Sequence, residues 1–197
     1  MRNIFIIHGS YGSPKENWFP WLKKELEKLG HRVLVPQFPI PPREKWDAAT
    51  SGHSLSAWLK TLAKYKKYIN DKTILIAHSR GNAFLFHFLN TLKKPVSSVF
   101  LVAPWMTFIW YPKSWKKTDS FMKKPFQWNK IKNTSKYFEV FQSINDSAGI
   151  SVNDGERIAK YLGAKFNLVK NAGHFNIATY KKFKEFPLLL ERIKIRL

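Results

Sequence analysis

The run Thr73-Ile74-Leu75-Ile76-Ala77-His78-Ser79-Arg80-Gly81-Asn82 constrains this chain more than any other stretch. β-branched and apolar residues lead into a small residue, and His-Ser-x-Gly then opens a helical pattern. The stretch therefore reads as a strand that turns sharply into a helix, with a serine on the turn. Such a turn strains the serine backbone and demands small residues two positions away on each side, which Ala77 and Gly81 supply. The geometry lifts the Ser79 hydroxyl off the sheet edge and aims the Arg80 N–H and the helix N-terminus at a developing oxyanion. A serine in this position is equally an ordinary helix N-cap. The motif gains meaning from what accompanies it.

Around it, apolar runs alternate with helical spacing. Strands are expected at residues 4–7, 33–35, 73–77, 96–102, 139–143 and 165–169. Helices are expected at 17–29, from Ser54 to Ile69, at 82–92 and 152–162, with a last one interrupted near Pro187. This order predicts one α/β domain over residues 1–197. It is a three-layer sandwich in which a mostly parallel sheet of about six strands is flanked by helices. Residues 105–130 break the rhythm with a crowd of aromatics. They are expected to form either a small cap, with Trp105, Trp110 and Trp128 shaping a pocket, or an irregular stretch packed down by its rings.

Three residues occupy matching places in this layout. Ser79 follows the third strand, Asp146 the fifth and His174 the sixth, so a parallel sheet brings all three to one edge. Ser79 is a weak nucleophile without a base, His174 can be that base, and Asp146 can fix its tautomer. Asp154 is the rival acid, but it opens a helical pattern and reads better as a helix-start carboxylate. The loop His8-Gly9-Ser10-Tyr11-Gly12 can bring its backbone close to a ligand. With Arg80 N–H, an N–H of Ser10 or Tyr11 would complete an oxyanion hole, with His8 and Gly9 beside it. His78 is expected to pack or bond locally, and His87 to be core or surface.

Composition narrows the partners. There is no cysteine, which removes disulfides and thiolate metal sites, and no His/Asp spacing suggests another metal site. No cofactor is implied. The formal charge is +21, but the lysines come as scattered pairs such as Lys23-Lys24 and Lys181-Lys182. That pattern fits a solvated surface better than a nucleic-acid face, and no nucleic-acid-binding motif supports the latter. The first apolar run is too short for a signal peptide and no run is long enough for a membrane span. A cytoplasmic monomer acting on a small acyl compound is the expectation.

The chain resembles the RBBP9/YdeN group of small serine hydrolases in the α/β-hydrolase superfamily. The resemblance rests on Ile6-Ile7-His8-Gly9-Ser10, Ala77-His78-Ser79-Arg80-Gly81, Pro125-Phe126-Gln127-Trp128, Ser143-Ile144-Asn145-Asp146 and Gly173-His174-Phe175. It covers nearly the whole chain. It implies a compact α/β-hydrolase fold with Ser79, Asp146 and His174 at the triad positions, and ester-type acyl substrates. Two departures stand out: Ala77 replaces a frequent glycine, and Ser147-Ala148-Gly149-Ile150 follows the acid where the group has a shorter turn. Acyl transfer and peptide cleavage remain open beside ester hydrolysis. So do a silent binding protein on the same fold and a basic nucleic-acid-associated protein.

Overall fold

Six strands form a single sheet in the computed structural model, which describes residues 1–42, 53–106 and 119–197. They are Asn3–Ile7 (β1), Arg32–Leu34 (β2), Ile74–His78 (β3), Ser98–Val102 (β4), Phe138–Ser143 (β5) and Lys165–Val169 (β6). The order is β2-β1-β3-β4-β5-β6 and every pairing is parallel. The chain begins inside the sheet, steps out to β2, crosses back to β3 and then walks to β6. The reversal lies between β1 and β3, where Ile7 is paired with Ala77. Loops leaving the carboxyl ends of these two strands diverge and leave a crevice, the usual ligand position in open α/β sheets.

Successive side chains of a strand face opposite ways, so each interior strand feeds two cores. Ile4, Ile6, Ile74, Ile76, Phe100 and Val102 pack on one face, against helices Phe19–Lys28 (α1) and Pro187–Lys194 at the chain end. Phe5, Ile7, Leu75, Ala77, Val99 and Leu101 face the other way. They pack on Leu55–Ala63 (α2), Arg80–Leu89 (α3), Trp128–Lys132 (α4) and Val152–Leu162 (α5). The terminal helix is α6. Both faces of the central strands are covered, which explains their unbroken apolar runs.

Local signals set the helix ends. Ser54 and Ser151 accept N–H bonds as N-caps of α2 and α5, and Gly163 closes α5 in the left-handed region at φ 63°. Pro187 sits in the first turn of α6, where its missing N–H costs nothing. It begins the helix rather than interrupting one, and a short 3-10 turn, Lys181–Lys184, precedes it. The helix after Ser54 stops at Ala63, and a separate 3-10 turn covers Lys66–Tyr68. The fourth strand starts at Ser98, because Val96 makes only an isolated bridge to Ser135. No helix among the described residues is long and apolar enough to cross a membrane.

Candidate active site

The strand-to-helix turn is present at the expected place. Ser79 has φ 55° and ψ −124° between the end of β3 and the start of α3. A non-glycine residue held there carries strain of about 1–3 kcal/mol, which surrounding contacts must offset. Asn82 provides some of them: its Nδ2 donates to the Ser79 and Val102 carbonyls, each at 2.9 Å. The Ser79 N–H donates to the same Val102 carbonyl at 3.0 Å. Gly81 is dictated by space, since a Cβ there would stand 2.7 Å from the His8 carbonyl oxygen and 2.8 Å from that of Ile7. Ala77 is tolerated, fully buried and facing the α2–α3 layer.

Two loops bring acid and imidazole together. His174 Nδ1 lies 3.0 Å from both carboxylate oxygens of Asp146. The Asp146 side chain is fully buried, and the Ala148 N–H donates to its Oδ1 at 2.8 Å. The longer turn after the acid thus wraps back on the carboxylate. Ser147 Oγ and Thr179 Oγ1 are 2.7 Å apart, and Asn145 Nδ2 donates to the Tyr180 hydroxyl at 3.1 Å, so the two loops are tied together. Asp154 stands apart, in the first turn of α5, where its N–H donates to the Ser151 cap.

His78 supports the His174 loop from beneath, with its Nε2–H donating to the His174 carbonyl at 2.8 Å. It does pack, but its bond reaches 96 positions along the chain rather than a local partner. Burial, with a smaller contribution from the His174 ring, pushes its pKa from 6.5 down to about 3. The ring is therefore neutral across the physiological range. His87 is half-buried and bonds the Phe121 carbonyl at 2.7 Å, away from the serine.

The loop after β1 is anchored by His8, which is fully buried against Phe38 and Trp58. Its Nδ1–H donates to the Gly9 carbonyl at 2.8 Å, and its Nε2 accepts the Phe38 N–H at 3.0 Å. Accepting at Nε2 requires the neutral ring, and burial does lower its pKa. Gly9 passes so close to the turn that a Cβ there would lie 2.9 Å from Ser79 Cβ and 3.4 Å from its Oγ. Among the described residues, neither the Arg80 nor the Ser10 N–H has a hydrogen-bond acceptor.

Ser79 and His174 share the wall of one cavity of about 360 Å³ with Gly9, Ser10, Gly12, Phe19 and His78. Their side chains are not hydrogen-bonded to each other. Several expected wall residues are elsewhere. His8 lies beneath its loop. Tyr11, at φ 54°, turns its ring onto His53 with centroids 4.7 Å apart. Trp105 is buried near the Arg80 guanidinium, and Trp128 stacks on Tyr161 and meets Phe86 edge-on. Trp110, like the rest of 107–118, lies outside the described residues. The sequence reading missed Glu16, Asn17, Asn176, Ile177 and Ala178, which also line the wall. Asn17 has φ 53° and its Oδ1 accepts the Ile177 N–H at 3.1 Å, a long-range pairing with no signal in the local pattern.

A family model described as serine hydrolase matches residues 4–193. The protein YdeN of Bacillus subtilis is 28% identical over 176 residues, covering 88% of this chain and 86% of its own. The serine hydrolase RBBP9 of Rattus norvegicus is 25% identical over 173 residues, covering 86% and 85%. The crystal structure of the B. subtilis ydeN product superposes with a TM-score of 0.85, covering 100% of this chain and 98% of that one. Est1E of Butyrivibrio proteoclasticus, solved with ferulic acid, shares the fold at 12% identity and a TM-score of 0.71, covering 98% and 90%.

Proposed function

Since the chain belongs to the serine hydrolase family, we propose that it cleaves a small or medium ester, thioester or amide through an acyl-Ser79 intermediate, with His174 as base and Asp146 as its orienting acid. The observation that carries this reading is the Asp146–His174 contact at 3.0 Å beside a cavity whose wall also holds the strained Ser79. In the first half, His174 Nε2 takes the Ser79 proton as Oγ attacks the acyl carbon. The tetrahedral oxyanion is received by the Arg80 and Ser10 N–H groups. His174 then protonates the leaving group as its bond to carbon breaks. In the second half, water repeats the sequence on the acyl-enzyme and releases the acid.

Asp146 accepts the Nδ1–H throughout, which keeps Nε2 facing the serine and stabilises the transient imidazolium. The missing Ser79–His174 bond is common in unliganded sites, where such contacts tighten only around substrate. A cavity of about 360 Å³ suits a compact acyl group.

The test is fluorophosphonate labelling of wild type, Ser79→Ala and His174→Ala, followed by p-nitrophenyl esters of increasing acyl length. Labelling of wild type alone is the expected result. A folded wild type that neither labels nor turns over an ester would move the binding-protein reading to the front.

A further inference from the structure

Arg80 is unusually placed for a cation. It is the first residue of α3, where the helix dipole disfavours positive charge. Its side chain is only 5% exposed, whereas the other lysines and arginines among the described residues are all half-buried or exposed. Its guanidinium sits 5.3 Å from the Phe121 ring centroid and 5.8 Å from that of Trp105. Burying a charge in this way adds little net stability even when it is paired. A well-packed apolar side chain would fill the same space.

The bonds of that guanidinium indicate what it does. Nη1 donates to Asp119 Oδ2 at 2.5 Å, and the Asp119 side chain is completely buried. Asp119 is itself held, because its Oδ1 accepts the Phe121 N–H at 2.9 Å. Nε donates to Ser10 Oγ at 2.7 Å. One planar group therefore spans a rigid carboxylate and the loop that supplies the second oxyanion N–H. Because the fork is planar, fixing Nη1 on Asp119 also fixes the direction of Nε.

We propose that the Arg80 side chain, braced by Asp119, is a positioning residue that holds Ser10 so that its N–H completes the oxyanion hole opposite the Arg80 N–H. This rests on the acyl-Ser79 reading. His8 fixes the near end of the loop through the Gly9 carbonyl, and Arg80 fixes the next residue through its hydroxyl. Gly9 runs so close to the turn that a Cβ there would stand 2.9 Å from Ser79 Cβ, which leaves the loop little room to move toward the serine. The residue after the nucleophile thus acts twice: its main chain donates to the oxyanion, and its side chain sets the other donor.

Steady-state kinetics on a p-nitrophenyl ester separates the outcomes, using wild type, Ser10→Ala, Arg80→Met, Arg80→Lys, Asp119→Asn and the Ser10→Ala/Arg80→Met double variant. Loss of one oxyanion donor lowers kcat by roughly 100-fold, so Arg80→Met should approach that value with KM changed less than about threefold. Ser10→Ala deletes the same bond and should lower kcat about as far, whereas Asp119→Asn, which only loosens the guanidinium, should lower it about tenfold. The double variant should be no slower than Arg80→Met, because both changes remove one linkage. Arg80→Lys should restore part of kcat, since an ammonium can reach one partner but not hold both. Ser10→Ala leaves the buried pair intact, and its wild-type kcat alone would overturn the proposal even where Arg80→Met does not fold. Multiplicative losses in the double variant would also overturn it. A wild type without labelling or turnover removes the acyl-Ser79 reading and this inference with it, whereas an active wild type with silent variants removes the inference only.

Discussion

Acid should loosen this protein through His78, and the size of the effect follows from its surroundings. The ring is buried between Trp18, Phe19 and His174, and its pKa falls from 6.5 to about 3. In the unfolded chain the imidazole takes up a proton as pH drops below 6.5, while in the fold it stays neutral until about 3. The unfolded state binds more protons in that window, so stability is full above the unfolded pKa and is lost as pH falls. Between pH 7 and about pH 4.5 the loss from this single group is about 2.5 kcal/mol. That is a large share of the roughly 5–15 kcal/mol by which domains are stable. Urea unfolding followed by tryptophan fluorescence at the two pH values, on wild type and His78→Gln, measures it. Gln retains an N–H for the His174 carbonyl and does not titrate. His8 and His53, also depressed by burial, are common to both proteins and cancel in the difference. The variant should therefore lose about 2.5 kcal/mol less than wild type on acidification. Equal losses, within about 0.5 kcal/mol, would refute the assignment.

Three further outcomes are expected. Asp146→Asn should lower ester kcat by about 10⁴-fold through the wrong imidazole tautomer, while Asp154→Asn leaves it within about threefold; the reverse ranking in the same assay would move the acid to Asp154. Gly9→Ala should lower kcat more than it lowers the melting temperature, because the added Cβ meets Ser79 at 2.9 Å rather than the core. An unchanged kcat there would show that the loop has room to retreat. Glu139→Gln should cost about 3 kcal/mol in urea unfolding, since the fully buried carboxylate holds Arg192 Nε at 2.6 Å, Tyr137 OH at 2.7 Å and Asn167 Nδ2 at 2.9 Å. It lies near the amino end of β5, opposite the serine edge, so fluorophosphonate labelling of the folded variant should equal that of wild type.

Much of this protein is local enough to be legible in its residues. Short apolar runs placed all six strands to within two residues, because strand burial is set by the strand's own side chains. The turn at Ser79 was visible for the same reason: Ala77, Ser79 and Gly81 are close in sequence, and each answers a steric demand of the turn. Even the edge shared by Ser79, Asp146 and His174 followed from counting strands, since a parallel sheet puts every such loop on one side.

What distant segments decide could not be read that way. Nothing near Arg80 announces that its guanidinium turns inward to Ser10 and Asp119, 70 and 39 positions away. The bond from His78 to the His174 carbonyl and the inward packing of Trp128 are of the same kind. A helical or strand pattern states which face a residue occupies, but not which partner comes to meet it there. The fold and the placement of Ser79, Asp146 and His174 on one sheet edge were determined by local pattern. The aim of those side chains, and the neutral buried histidines behind them, were decided by contacts that exist only once the sheet has assembled.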